Sequence, residues 1–186
     1  MKTDNPAFGN FIDKMTELIS SAKLEAEIVA EGKCLLAELV STHSWLPENY
    51  RQASSQSYQQ FLLYCDPEER FSVVSFVWGP HQTSSIHNHT VWGLVGMLEG
   101  VETCDEFELK DGMPRYSGVS HQLLPGQVDA VSPAIGDWHR IKNDTDAASI
   151  SIHVYGANIG KVRRTRLGEG NRLEDFVSGY SNQADL

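Results

Sequence analysis

Short β-forming runs dominate the chain after about residue 57, and they restrict its fold more than any other feature. They are rich in Val, Ile, Phe and Trp, are separated by Gly, Pro and Asp, and show no helical periodicity. Regular spacing of such runs is typical of antiparallel sandwiches and barrels. The clearest predicted strands are "RFSVVSFVWG", "VWGLVGMLEG", "HQLLPGQVDAVSP", "WHRIKN" and "ASISIHVYG".

The first 50 residues follow a different pattern, with apolar residues at the spacing of one helical face. This spacing predicts a helix from Pro6 and a second helical stretch from Leu24 to Leu39, which Gly32 can divide into two shorter helices. The helical pattern ends near "THSWLPENY", where Pro47 interrupts it. The apolar residues of the first helix are Phe8, Phe11, Ile12, Met15, Leu18 and Ile19.

The composition and net charge of the chain limit which kinds of molecule it is expected to bind. The 186 residues include 15 basic and 25 acidic side chains, a formal net charge of −10. We therefore expect neither nucleic acid nor an anionic membrane as a partner, because both favour basic patches. No apolar run approaches the roughly 20 residues that span a bilayer, and the N-terminus lacks a basic segment followed by an apolar one. We expect a cytoplasmic protein that binds a small molecule; the sequence does not indicate its oligomeric state.

The cysteines are odd in number and widely spaced, which predicts free thiols and no disulfide framework or zinc ribbon. We expect Cys34, Cys65 and Cys104 to be buried. Outside the motifs described next, the remaining histidines are expected on the surface or in loops: His43, His81 and His121.

Two histidines stand one residue apart in "SSIHNHTVWG", at His87 and His89. In a β-strand, residues i and i+2 face the same side, so one strand could offer two imidazoles to one metal ion. Histidines on strand faces are often only packed and hydrogen-bonded, so this pair alone leaves both interpretations open. The residues around the pair favour the metal.

Glycines, a proline and a third histidine recur around this pair in two groups. The first group is Gly79, seven residues, His87-x-His89, three residues, Gly93, six residues and Gly100; the second is Gly126, six residues, Pro133, two residues, Gly136, two residues, His139, three residues and Asn143. The two groups resemble the paired motifs of the cupin superfamily. The resemblance implies a mainly β cupin, a small jelly-roll-like barrel with an N-terminal helical extension. It implies one domain over 1–186, divided into an extension (1–50), a barrel core (57–165) and a C-terminal tail (166–186).

The cupin resemblance also implies that His139 is the third metal ligand, brought to His87 and His89 by closure of the barrel. Most metal-binding cupins have a glutamate shortly after the H-x-H pair, but here that place holds Gly93. Three neutral imidazoles would leave coordination positions and positive charge for an anionic substrate and O2. Three histidines suit zinc as well, so ligand type alone leaves the metal undecided.

Between about Tyr58 and Tyr180 the chain resembles the thiol dioxygenases, the cysteine dioxygenase family of non-haem iron cupins. The resemblance is carried by "YQQFLLYCDPEERFSVVSFVWGP", "HNHTVWGLVGMLEG", "IGDWH" and "SISIHVYGANIGKVRR". These enzymes bind Fe(II) through three histidines and add both atoms of O2 to the sulfur of a small thiol, giving a sulfinate. The resemblance thus implies Fe(II) as cofactor, with a thiol and O2 as the partners.

The run "SISIHVYG" matches the strand beside the metal in that family. Its alternation independently places Ser151, His153 and Tyr155 on one face. We expect a hydrogen-bonded chain that ends at the Tyr155 hydroxyl near the metal, with these three residues in the catalytic role. An exposed polar face on an edge strand is the alternative.

Two positions bear on the substrate. The mammalian cysteine enzyme has an arginine two residues after a tyrosine, where this chain has Gln60 after Tyr58; it also has a cysteine cross-linked to the active-site tyrosine, where this chain has Gly93. Both departures are typical of the bacterial branch resembling 3-mercaptopropionate dioxygenase. That branch implies carboxylate binding by Gln60 and Arg164. The alternatives to Arg164 are Arg163, Arg166 and a solvated basic turn.

Other functions remain open at this point. An isomerase-type cupin using zinc or manganese would need general bases beside the motifs, and the sequence offers no obvious carboxylate pair there. A non-catalytic cupin that senses a small ligand would need a partner protein, because the helical extension is not basic. Among thiols, the sequence favours 3-mercaptopropionate and leaves cysteine and cysteamine as alternatives.

Overall fold

Two helices open the chain in the computed structural model, which describes residues 5–182. Helix α1 spans Pro6–Ser21 and α2 spans Glu25–Val40. The α1 N-terminus is capped by Asn5, whose side chain accepts a hydrogen bond from the Ala7 amide at 3.0 Å. The division of α2 at Gly32 was predicted wrongly, since the helix runs through it. A Cβ there would lie 2.8 Å from Leu94 Cδ1, so this glycine permits close packing on the sheet.

Antiparallel strands make up most of the remaining chain, and the predicted fold class, mainly β with an N-terminal helical extension, is confirmed. The sheet orders are β1-β2-β8-β3-β6 and β5-β4-β7, with β9 and β10 as a separate hairpin. Within residues 5–182 the strands are β1 Gln59–Cys65, β2 Ser72–Trp78, β3 Gly93–Glu99, β4 Glu102–Lys110, β5 Met113–Leu123, β6 Val128–Val131, β7 Trp138–Lys142, β8 Ser149–Tyr155, β9 Arg164–Leu167 and β10 Leu173–Phe176.

The composition of the run "HQLLPGQVDAVSP" predicted one strand, and this prediction was wrong. The run contains the end of β5, a turn with Gly126 at φ 84°, and β6, which belongs to the other sheet. The turn includes a hydrogen bond from the Gln127 amide to the Leu124 carbonyl at 2.9 Å. The chain therefore crosses between the two sheets at this point.

The five-stranded sheet has a different environment on each face. Its outer face packs against α1 and α2, and the side chains of β8 in this core are Ile150, Ile152 and Val154. Its inner face contributes Val74, Phe76, Trp78 and Tyr155 to a second core inside the barrel. Because both faces are covered, every residue of β2 and β8 is buried.

The segment between β2 and β3 joins the two sheets. It runs antiparallel to β7, and the Ser84 amide donates to the Ile141 carbonyl at 2.9 Å. The backbones of His87 and His139 exchange two hydrogen bonds, each 3.0 Å long. This pairing brings the two histidine motifs together.

Part of the predicted tail, 166–186, is ordered structure. It contains the end of β9 and all of β10, and the Asn182 side chain accepts from the Leu62 amide at 2.9 Å on β1. The ends of the predicted domain, residues 1–4 and 183–186, lie outside the described residues. None of the helices in the described part of the chain has the length and apolar content to cross a membrane.

The cysteines are free, as predicted, but they are not all buried. Cys104 is buried, Cys65 is partly buried and Cys34 is exposed on α2. The expectation of burial was wrong for Cys34 because its position on α2 faces away from the sheet.

The contact between α2 and β3 leads to a test of stability. A Cβ at Gly96 would lie 2.8 Å from Leu36 Cγ and 3.0 Å from Val40 Cγ1. We expect Gly96→Ala to lower the free energy of unfolding in urea by roughly 1–3 kcal/mol through overpacking. Gly9→Ala is the control, since a Cβ there meets nothing within 4 Å, and we expect a gain of about 0.5–1 kcal/mol from helix propensity. Equal stability of wild type and Gly96→Ala would contradict tight packing of this contact.

Candidate metal centre

Three imidazoles converge where the β2–β3 segment meets β7. The donor atoms of His87, His89 and His139 lie within 4.8 Å of one another. Their ring centroids are 4.8–4.9 Å apart. The prediction that His87 and His89 share a regular strand was wrong: they lie in an irregular segment where His87 forms isolated bridges. Convergence depends on backbone pairing with β7 and not on strand alternation.

Hydrogen bonds at Nδ1 orient two of the three rings. His87 Nδ1 lies 2.9 Å from the Ser85 carbonyl, which can only accept, so this nitrogen carries the proton. His89 Nδ1 donates in the same way to Asp137 Oδ1 at 3.0 Å. Both rings therefore keep a free lone pair at Nε2. His139 has no side-chain hydrogen bond in the described part of the chain, and its Nδ1 is buried.

Asp137 is a residue of the site that the sequence analysis missed. Besides the His89 ring, its carboxylate accepts from the backbone amides of His89 at 2.8 Å and Thr90 at 2.9 Å. Burial raises the pKa of this carboxyl against the lowering effect of those amides. Carboxylates that hold the far nitrogen of a ligating histidine fix the ring and its tautomer. Its position two residues before His139, within "IGDWH", was the available signal.

The electrostatics of the three imidazoles suit a cation. Loss of solvent lowers the pKa of His87 to about 4, and it lowers the pKa values of His89 and His139 well below the ordinary 6.5. All three rings are therefore neutral at pH 7, as metal ligands must be. Bonds of about 2.1 Å would place neighbouring nitrogens roughly 3 to 3.5 Å apart, so donor atoms that lie within 4.8 Å of one another would have to move together by less than about 2 Å. The three residues can hold a divalent metal, and imidazole donors leave its identity open.

A chain of buried side chains on β8 lies beside this cluster. Ser151 Oγ is 2.9 Å from His153 Nε2, and His153 Nδ1 is 2.8 Å from the Tyr155 hydroxyl. The Tyr155 ring stacks on the His89 ring, with centroids 5.3 Å apart and planes at 20°. Burial lowers the pKa of His153 to about 3 and raises the pKa of Tyr155, so both are neutral.

Gly93 provides the space for Tyr155. A Cβ at this position would lie 2.9 Å from Tyr155 Cδ1 and 3.1 Å from Val131 Cγ2. A side chain here would require the Tyr155 ring or the Val131 side chain to shift. Position 93 thus controls whether the ring can reach the imidazole cluster.

A cavity of about 400 Å³ opens onto these groups. Gln60, His87, His139, Tyr155 and Arg164 line it together. Within the described residues it has no Asp or Glu in its wall. The other lining residues are Tyr58, Phe76, Trp78, Ser84, Ser85, Ile141, His153, Arg166, Phe176, Val177 and Ser178.

The three candidate arginines have different environments. Arg164 is 5% exposed, donates to Ser178 Oγ at 2.6 Å and lies over the Phe176 ring, with its Cζ 4.6 Å from the centroid. Its Nε is buried and has no hydrogen-bond partner. Arg166 also reaches the cavity but faces Glu174 at 3.4 Å. Arg163 is outside the lining and lies 3.6 Å from Asp175.

Glu102 is a second residue that the sequence analysis missed. It is 2% exposed, its Oε1 accepts from Ser149 at 3.1 Å, and its Oε2 is buried with no partner. Burial raises its pKa to about 7 against the lowering effect of the Ser149 hydroxyl. Its hydrogen bond to Ser149 places it beside β8.

No model of a known protein family matches the chain. Similar solved structures include a protein with a double-stranded β-helix domain from Klebsiella pneumoniae, at 14% identity and a TM-score of 0.49 over 69% of this chain and 91% of that one. A cupin-2 domain protein from Rhodospirillum rubrum is 14% identical, with a TM-score of 0.48 over 64% and 74%. A cupin 2 conserved barrel domain protein from Rhodopseudomonas palustris is 16% identical, with a TM-score of 0.48 over 66% and 77%.

The position of Asp137 leads to a test of metal affinity. We expect Asp137→Asn to weaken binding of Fe(II) or Co(II) by about 10–100-fold. The neutral side chain of this variant cannot accept a charge-assisted hydrogen bond from the His89 ring, so the ring is oriented less firmly. Anaerobic metal titration measures this. Asp144→Asn, a surface change, should leave the affinity unchanged. Equal affinities of wild type and Asp137→Asn would show that Asp137 does not orient the ligand.

Glu102 leads to a test of pH dependence. Its folded pKa, about 7, lies above its usual 4.5, so the folded state binds the extra proton and stability falls as pH rises through this interval. Glu102→Gln cannot ionise. The difference in unfolding free energy, wild type minus Glu102→Gln, should therefore fall by up to about 3 kcal/mol between pH 5 and pH 8. A constant difference across urea melts at these pH values would contradict the raised pKa.

Proposed function

We propose that this protein is a non-haem Fe(II) thiol dioxygenase that converts a small carboxylate-bearing thiol to its sulfinic acid, with 3-mercaptopropionate as the preferred substrate. One observation carries the proposal: a cavity of about 400 Å³ is lined by two imidazoles of the three-histidine cluster, by the histidine and tyrosine of the buried Ser-His-Tyr chain, and by a buried guanidinium. Each of these groups comes from a different part of the chain. The likeness of "SISIHVYG" and the histidine motifs to thiol dioxygenases supports the same conclusion.

Arg164 supports an anionic substrate. Its guanidinium is 5% exposed, its Nε is buried without a partner, and no carboxylate bonds to it in the described part of the chain. Burying such an unpaired charge lowers the stability of the fold. A substrate carboxylate would supply the missing acceptor through a charge-assisted hydrogen bond. The Gln60 side chain lines the same cavity and can donate a second hydrogen bond.

The same cavity favours an amine-free thiol. Cysteine and cysteamine carry an ammonium group, and no Asp or Glu lines the cavity within the described residues. An unpaired ammonium beside Arg164 would be desolvated and repelled. The proposed order of preference is therefore 3-mercaptopropionate, then cysteine, then cysteamine.

The β8 chain would supply a directed hydrogen bond. We assign the proton at His153 to Nδ1, which donates to the Tyr155 oxygen, while the Ser151 hydroxyl donates to Nε2. The Tyr155 hydroxyl proton is then free to point into the cavity. Tyr155 would donate to the bound substrate or oxygen, while Gln60 and Arg164 hold the carboxylate end at a fixed distance.

Fe(II) held by His87, His89 and His139 would supply the redox chemistry that joins O2 to sulfur. The reaction balances without a reductant, because RSH and O2 together contain all the atoms and electrons of RSO2H. The aromatic wall, including Trp78 stacked on Tyr58 at 4.3 Å, restricts water around the reacting sulfur.

A zinc or manganese isomerase is a weaker proposal. Isomerases need a general base in contact with the substrate. Among the imidazoles of the cavity, His87 and His139 would be occupied as ligands, and both ring nitrogens of His153 are hydrogen-bonded within the β8 chain. A sensor without catalysis would need the cavity but not the Ser-His-Tyr chain.

Anaerobic loading with Fe(II), followed by O2 uptake and sulfinate detection, tests the proposal. We expect one O2 consumed per sulfinate, with kcat/KM for 3-mercaptopropionate above that for L-cysteine. Zn(II)-loaded protein should be inactive with both thiols. Absence of O2 uptake by protein shown to contain iron would reject the dioxygenase function.

Substitution of neighbouring arginines tests the substrate-binding role. We expect Arg164→Lys to raise KM for 3-mercaptopropionate by roughly tenfold or more, because hydrogen bonds to charged groups contribute about 1.5–3 kcal/mol. Arg163→Lys is the matched control and should leave KM unchanged, since Arg163 lies outside the cavity. Gln60→Ala should likewise raise KM more than it lowers kcat. A fall in kcat at constant KM would reject carboxylate binding by these residues.

A further inference from the structure

A second cluster of metal-ligand side chains lies in the barrel interior next to the main cavity, and His139 and Ile141 of β7 line the cavities at both places. The donor atoms of Cys104, His121 and Asp129 lie within 4.8 Å of one another. Cys104 on β4 and His121 on β5 are direct partners in the antiparallel register, whereas Asp129 belongs to β6 in the other sheet. The cluster therefore spans both sheets of the barrel. His121, expected on the surface, is a partly buried strand residue.

The charge of this cluster is unbalanced in the described part of the chain. His121 Nε2 lies 2.8 Å from Asp129 Oδ2, and its Nδ1 lies 3.6 Å from Glu106 Oε1. Neither of these carboxylates forms an ion pair with Lys or Arg within residues 5–182; Asp105, by contrast, pairs with Arg140. One imidazole thus faces two carboxylates. A divalent cation would balance them.

Space for an ion is present between the donors. A cavity of about 10 Å³ is lined by all three donor residues, which is about the volume that one water-sized occupant needs. A neighbouring cavity of about 80 Å³ is lined by Cys104, Asp129 and Glu106. In a tetrahedral site with bonds of about 2.0–2.3 Å, ligand atoms are roughly 3.3–3.8 Å apart. The donor atoms here lie within 4.8 Å of one another, so an ion would need only small movements of these side chains and would replace the proton between His121 and Asp129.

We propose that Cys104, His121 and Asp129 form a second metal site for a zinc-like divalent cation, with Glu106 or water as the fourth ligand. A thiolate, an imidazole and a carboxylate together form the borderline donor set that Zn(II) and Co(II) favour. Burial among carboxylates raises the pKa of the Cys104 thiol to about 12, and a bound cation would reverse that effect. The ion would join β4 and β5 to β6. This site is independent of the dioxygenase proposal.

Cobalt tests the site, because thiolate ligation gives a near-ultraviolet sulfur-to-cobalt charge-transfer band that histidine ligands lack. The titration uses full-length protein carrying Cys34→Ser and Cys65→Ser, so that Cys104 is its single thiol. We expect two equivalents of Co(II) and the charge-transfer band. Adding Cys104→Ser should abolish the band and leave one equivalent. Adding His89→Ala should instead weaken the other equivalent and keep the band.

A second variant covers the case in which Cys104→Ser disturbs folding. Asp129→Asn should weaken the band-forming equivalent by at least tenfold, while Glu108→Gln, an exposed carboxylate on β4, should leave it unchanged. Circular dichroism monitors the fold of each variant. Absence of the band from folded protein whose three-histidine site is saturated with cobalt would overturn the second site, whatever the outcome of the thiol assays.

Discussion

Two backbone hydrogen bonds between His87 and His139, each 3.0 Å long, are the contact on which the candidate site depends. They fix two distant segments at one place, so the imidazoles converge although the H-x-H pair lies outside any regular strand. Asp137, two residues before His139, then accepts from the His89 backbone and ring. The same pairing that closes the barrel thus also orients a ligand.

The five-stranded sheet connects stability to the site through its two faces. On β8, Ile150, Ile152 and Val154 pack under the helices, and the intervening Ser151, His153 and Tyr155 point into the barrel. Helix packing therefore holds the hydrogen-bonded chain rigidly from behind. On β3, glycines permit close approach on both sides, to α2 at Gly96 and to the Tyr155 ring at Gly93. Larger side chains would disturb the core in one case and the site in the other.

Several buried polar atoms have no hydrogen-bond partner within the described residues, and such atoms can mark ligand sites. Arg164 has a buried nitrogen without a partner, Glu102 has a buried oxygen without one, and His139 Nδ1 is likewise unpaired. Such groups reduce stability unless another molecule or a proton satisfies them. His139 belongs to the proposed three-histidine site and Arg164 to the proposed anion site, whereas Trp45 Nε1, also unpaired, lies in the core under the helices. Neutral imidazoles with lowered pKa values fit the same account, because burial removes the proton that would compete with a cation.

Periodic and spaced residues made much of this protein predictable. Helical spacing indicated the two N-terminal helices and alternation assigned the faces of β8. The small jelly-roll-like barrel and the third histidine of the metal cluster were implied by the resemblance of the histidine motifs to those of cupins. The helices and the two faces of β8 follow from local geometry, which is why one sequence suffices to find them. Gly32 within an unbroken α2, the two strands in "HQLLPGQVDAVSP", and the roles of Asp137 and Glu102 depended on contacts between distant segments. Tertiary structure decided them, because packing and burial determine which residues a glycine touches and which carboxylate reaches an imidazole.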